Sequence, residues 1–133
     1  MPISDIASSR LTELELSHNF SDAHPPLTHE QALVEADRCF YCYDAPCIEA
    51  CPTSIDIPRF IRAIATNNMQ GSARTILDSN ILGGSCARVC PTALLCEQKS
   101  VHNTLEEGRP VRIGQLKRHA TDWQLGHGCL LYT

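Results

Sequence analysis

Aromatic side chains are scarce in this chain: Phe20, Phe40, Phe60, Trp123 and three tyrosines make up 5% of the residues. At 133 residues it is most simply one domain with a modest core, so an inorganic group that tied loops together would be a useful source of stability. No apolar run approaches the roughly 18 residues needed to span a membrane. The opening stretch MPISDIASSRLTELEL has neither a basic n-region nor a continuous apolar h-region, so a secretory signal is not expected. A reducing, cytoplasmic setting is the expectation that follows. Basic excess is missing as well: the formal net charge is −4 and no basic stripe is present, which argues against a nucleic-acid module. The histidines form no H-E-x-x-H motif, and Gly83-Gly84 is not part of a G-x-G-x-x-G fingerprint, so catalysis by this chain alone is not expected.

What the chain does have is clustered cysteine. Seven of its eight cysteines fall in two tight groups. RCFYCYDAPCIEACP places Cys39, Cys42, Cys47 and Cys51 in a C-x2-C-x4-C-x3-C-P run, and GSCARVCPTALLC places Cys86, Cys90 and Cys96, with Pro91 directly after Cys90. In a reducing compartment such groups bind metal more often than they pair as disulfides. The short gaps and Cys-Pro steps resemble the thiolate runs that hold cubane iron–sulfur clusters. Structural zinc also uses C-x2-C pairs, but the x4 and x3 gaps suit it less well. Cys129 stands apart and reads as a bystander.

The remaining pattern is helical, with no strand signal. Residues 4–17 read as a short helix or docking arm, and His24-Pro25-Pro26 breaks the chain. Thr28-x-x-Gln31 has the form of a capping box opening a helix to about Arg38, with Ala32, Leu33 and Ala36 inward. Pro46 and Pro52 make the cysteine run irregular. Asp56 caps a helix with Pro58 in its first turn and Phe60, Ile61, Ile64 and Ala65 toward the core. Asn67-Asn68 ends it; Ala73, Ile76 and Leu77 mark the next helix, and Gly83-Gly84 reads as a turn bringing backbone close to the second cysteine group. Residues 106–110 read as a turn, and a last helix over about 112–124 aligns Ile113, Leu116, Ala120 and Trp123. Lys117 falls in the middle of that stripe, where the ordinary expectation is an ammonium that snorkels to water. The fold expected is all-α, a small helical domain with long irregular loops wrapped around metal. An arm (1–27), a helical domain (28–125) and a tail (126–133) are the expected divisions.

RCFYCYDAPCIEACP, DIPRFIRAI, LGGSCARVCPTALLCE and GRPVRIGQLKRHATD stand in this order over roughly residues 28–123. Together they resemble the N-terminal dicluster domain of the flavoprotein family of dihydropyrimidine dehydrogenases and the glutamate synthase small subunit. The resemblance implies a helical domain holding two [4Fe-4S] clusters that relay electrons between a flavin and a partner's redox centre. It implies interleaved ligands: Cys39, Cys42 and Cys47 for the first cluster, and Cys51, Cys90 and Cys96 for the second. The first cluster's fourth ligand in the family is a cysteine, at the position of Ser100 here; the second's is a Gln or Glu, at the position of Lys117. Both depart from the pattern. Substitutes within reach in sequence are Cys86, the best chemically, and Glu97, Gln98, His102, Gln115 and His119. On this basis Lys117 is expected to tune the potential of the second cluster without binding iron.

The chain is therefore expected to be an electron-transfer module with two [4Fe-4S] clusters, or one if a fourth position fails. It would be non-catalytic alone, working in a complex with a flavin- and NAD(P)H-binding oxidoreductase subunit or domain. Other readings are a structural zinc protein, and a docking or assembly subunit with a degenerate cluster site.

Overall fold

The computed structural model describes residues 11–105 and 108–128, and among these every regular element is helical. The helices are α1 (Glu13–Asn19), α2 (His29–Asp37), α3 (Pro46–Glu49), α4 (Ile57–Ala65), α5 (Met69–Ser79), α6 (Gly83–Val89), α7 (Val101–Leu105) and α8 (Ile113–His127), with a 3-10 turn at Thr92–Leu94. None is long and apolar enough to cross a membrane. The all-α expectation is correct.

Local chemistry sets most of the helix starts. The Thr28 hydroxyl accepts from the Gln31 amide at 3.2 Å while the Gln31 side chain accepts from the Thr28 amide at 3.0 Å, the reciprocal box expected at the head of α2. A second box, between Thr12 and Glu15, opens α1 in the same way. That helix buries nothing, and Leu14 is exposed; Ile6 lies outside the described residues. Asp56 caps α4 by accepting from the Arg59 amide at 3.1 Å. Asn67, at φ 58°, reverses the chain, and the Asn68 side chain caps α5 through the Gly71 amide at 2.9 Å.

The core forms where α4 lies between α2 and α5, with α8 packed across α2, α4, α5 and α6. Ile55, Ile57, Phe60, Ile61, Ile64, Ile76, Ile113 and Leu116 are almost wholly buried, each side chain contributing roughly 1.5–3 kcal/mol of burial. The Ser72 hydroxyl donates to the Phe60 carbonyl at 2.9 Å, tying α5 to α4 inside the core. Arg118 on α8 reaches out to Asp22 at 2.8 Å and to the carbonyl of His24 at 2.9 Å, which holds the segment before α2 against the last helix.

Two local expectations need correction. Pro46 does not keep the cysteine run irregular throughout; it begins α3, because a helix's first position has no use for the amide that proline lacks. Gly83 and Gly84 do not form a turn; they begin α6. A Cβ on Gly83 would stand 2.5 Å from Ile76 Cγ2, so glycine is needed there for α6 to approach α5.

Candidate metal centre

Cys39 follows Arg38, the C-cap of α2, its amide donating to the Ala36 carbonyl at 3.1 Å. Tyr41 then takes φ 50°, a left-handed conformation costly for a non-glycine residue. It is held there by its hydroxyl on the Ala36 carbonyl at 3.3 Å and by the Arg62 guanidinium 5.6 Å above its ring. The resulting bend returns Cys42 toward Cys39. Cys47 sits in the first turn of α3, and all three thiols line one hollow together with Ser100, His102 and the apolar walls Ile57, Ile61, Val111 and Ile113. The hollow encloses about 380 Å³, counting its open mouth.

Cys51 directly follows α3, its amide on the Ile48 carbonyl at 3.0 Å. It faces away from its sequence neighbours into a second hollow of about 420 Å³, shared with Cys86, Cys90 and Cys96. Cys86 comes from α6 and Cys90 from its C-terminal end, and Lys117 enters from α8. The two hollows share one wall residue, Ile57, which is 2% exposed. They are also joined through the chain, since α3 runs from the Cys47 side to the Cys51 side.

Cys39, Cys42 and Cys47 line the first hollow, and Cys51, Cys90 and Cys96 line the second. Ser100 lies in the first and Lys117 in the second. Cys86, four residues before Cys90, joins the second set. Lys117 does not snorkel: it is 2% exposed, and its amine donates to Cys86 Sγ at 3.3 Å. Of the other substitutes, Glu97 Oε1 accepts from the Gly114 amide at 3.0 Å and so pins the second cysteine group to the start of α8. His119 stands 3.4 Å from His29, away from both hollows. Gln115 and Gln98 line neither of them. His102 lies in the first hollow, stacked on Phe40 and bonded to the Arg38 carbonyl.

Sequence patterning had no means of showing Ile57 as the partition or Arg38 as a clamp. Arg38 donates to the carbonyls of Arg109 at 2.6 Å and Pro110 at 3.4 Å and pairs with Glu35 at 2.7 Å, which fixes the end of α2 to the segment before α8. Its position directly before Cys39 was the only available signal.

Electrostatics separate the thiols. Burial pushes Cys96 up to about 12, against the pull of Lys117. Burial and the neighbouring Cys39 push Cys47 up to about 11, against the amides of Cys47 and Ile48. Cys39 and Cys90 are raised for the same first reason, desolvation. Cys51 is lowered: burial opposes this, but the Ile55 amide, Thr53 and Lys117 together outweigh it. Metal binding to a thiol displaces its proton. Among the described residues, no three His, Cys, Asp or Glu side chains are gathered tightly enough for one metal ion. The cysteines border hollows, an arrangement with room for a polynuclear core.

Two thiol-lined hollows in one helical shell, with Ile57 in the wall of both, are the features of an iron–sulfur domain. The sequence comparisons agree. The chain belongs to the family described as dihydropyrimidine dehydrogenase domain II, 4Fe-4S cluster, whose model matches residues 16–129. It is 43% identical over 108 residues to the NAD-dependent dihydropyrimidine dehydrogenase subunit PreT of Escherichia coli K12, covering 81% of this chain and 26% of that protein. A homolog of that subunit from Salmonella typhi is 43% identical over 100 residues, or 75% of this chain and 24% of the relative. The chain spans about a quarter of the length of these curated relatives.

Proposed function

We propose that this domain is a two-site electron relay. Cys39, Cys42, Cys47 and the hydroxyl of Ser100 hold one [4Fe-4S] cluster, and Cys51, Cys90 and Cys96 are the core of the set that holds the other. When bound, such clusters take up and pass on single electrons. The rest is supplied by the chain. α3 sets the separation of the two sites by carrying Cys47 at one end and delivering Cys51 just past the other. Ile57, Ile61, Val111 and Ile113 keep water from the inner faces. Tyr41, pinned by Ala36 and Arg62, holds the Cys39–Cys42 loop in shape before metal arrives.

The observation that carries the reading is the common wall at Ile57: two cysteine-lined hollows on either side of one buried side chain suit short-range transfer from one to the other. The domain is read as passing electrons for a partner's chemistry. The partner proposed is a flavin- and NAD(P)H-binding oxidoreductase subunit or domain. The relatives' name, a subunit of an NAD-dependent dihydropyrimidine dehydrogenase, supports a pyrimidine-reducing or pyrimidine-oxidising complex as the setting.

Anaerobic purification with iron and sulfide analysis, followed by EPR of the dithionite-reduced chain, tests the relay. About eight irons and two magnetically interacting signals are expected. A colourless protein with stoichiometric zinc, or one that accepts no iron on anaerobic reconstitution, would overturn it.

A further inference from the structure

The second hollow contains one more thiol than the family pattern requires, and a lysine where that pattern has a ligand. Cys86 lines the hollow with Cys51, Cys90 and Cys96, so four sulfurs border one space. The side chain at the family's fourth position, Lys117, has no lone pair to offer iron while it is an ammonium, yet it is 2% exposed and directed into the same hollow. Its amine donates to Cys86 Sγ at 3.3 Å. An unpaired ammonium buried to this degree would carry a heavy desolvation cost, which a neighbouring cluster of anionic sulfurs would offset.

We propose that the second site is held by four cysteine thiolates, with Cys86 as the fourth ligand, and that Lys117 is a positioning residue that supports Cys86 and neutralises part of the cluster's negative charge. The proposal rests on the two-site relay and specifies one of its ends. On binding, Cys86 gives its proton to solvent and its sulfur binds the iron that the late helix would otherwise have reached. α6 makes this geometrically available: the Cys90 amide donates to the Cys86 carbonyl at 3.0 Å, placing the two residues one helical turn apart. α6 packs on α8, so Lys117 and Cys86 meet across that contact. A fixed positive charge beside an iron–sulfur core stabilises its reduced, more negative form and so raises the potential.

The test compares anaerobically reconstituted wild type with Cys86→Ala, Lys117→Met, and the double variant Cys86→Ala/Lys117→Gln, by iron content, EPR and redox titration. In Cys86→Ala, iron per chain is expected to fall by about half with loss of one EPR signal. The surviving signal of the Cys39 site reports that the chain has folded. The double variant returns an oxygen ligand of the family's type to α8 and is expected to recover the lost signal. Lys117→Met is expected to retain both signals and to shift one midpoint potential downward, leaving the other in place. Alkylation of the wild type with iodoacetamide, before and after iron chelation, gives a readout free of mutational damage: Cys86, half-buried, is expected to react only after chelation.

Full iron and both signals in Cys86→Ala, or ready alkylation of Cys86 in the loaded wild type, would overturn the ligand assignment. An unchanged pair of potentials in Lys117→Met would overturn the role of the cation. Absence of clusters from the wild type would instead overturn the relay itself, so the two failures are distinguishable.

Discussion

Gly83 and Gly84 begin α6 side by side, and alanine should have opposite effects at the two positions. A Cβ on Gly83 would lie 2.5 Å from Ile76 Cγ2, with Thr121 Cγ2 at 3.6 Å and Leu77 Cδ2 at 3.7 Å behind it. Ordinary carbon contacts begin near 3.5 Å, so α6 or Ile76 must give way by about 1 Å. Ile76 is fully buried and cannot swing into solvent. Overpacking of this kind costs about 1–3 kcal/mol, offset by at most about 1 kcal/mol from the better helix propensity of alanine. A Cβ on Gly84 finds nothing nearer than Thr121 at 3.8 Å, which is normal contact. There the propensity gain stands alone, and the variant should be neutral or more stable by up to about 1 kcal/mol. The assay is thermal unfolding of the anaerobically purified chain, followed by circular dichroism, with iron content measured alongside. Gly83→Ala should melt several degrees lower and hold less iron, because α6 carries Cys86 and ends at Cys90. The reasoning is refuted if Gly84→Ala is the more damaging of the two, or if Gly83→Ala unfolds like wild type.

Ser100→Cys places a fourth thiol in the first hollow, and iron loss from that site to a chelator should slow several-fold; an unchanged rate in a chelation time course would count against Ser100 as a ligand. His119 is held below the usual imidazole range by burial and by His29, so its neutral form is favoured in the fold. The unfolded chain then binds more protons near and below pH 6.5, and stability should fall as pH drops through that range. Urea midpoints at pH 7.5 and 5.5 should differ less in His119→Gln than in wild type; an equal difference would remove His119 from the account. Asp56→Ala removes the acceptor at the head of α4 and should cost about 1 kcal/mol in the same urea experiment, while a change of a few tenths would show that the Arg59 amide is satisfied otherwise.

Features that depend on a few neighbouring residues were legible in the sequence. Thr28 with Gln31, Asp56 with its downstream proline, and the core set Phe60, Ile61 and Ile64 follow from spacing alone, because caps and amphipathic stripes are local chemistry. The box at Thr12 and Glu15 has the same T-x-x-E form and was legible by the same rule, though the weak apolar pattern around it left the reading open between a short helix and a docking arm. Pro46 and Gly83 were harder, since each residue type has two uses. Proline stops a helix interior and starts a helix, and glycine makes turns and permits close packing; only the position of the neighbouring helix decides. The ligand types at the two sites were visible in the cysteine spacing, but their grouping was not. Cys51 turns from Cys47 because α3 intervenes, and Cys86 meets Lys117 because α6 lies on α8. Those are tertiary facts, and only the family pattern anticipated the first.

The two departures from the family pattern, Ser100 and Lys117, have a consequence when taken together. In the first hollow a hydroxyl stands in for a thiol, and an oxygen donor is harder and more basic, favouring the more oxidised iron. In the second, on the assignment of Cys86, the thiolate count is complete and a buried cation lies against it. Net charge and hydrogen bonds to sulfur are two of the levers that set cluster potentials. On the proposed ligand sets each site has four anionic ligands and only one has a buried cation beside it, so the site of Cys51, Cys86, Cys90 and Cys96 is expected to be the easier of the two to reduce. The downhill direction expected from those sets runs from the side of Cys39 toward the side of Lys117.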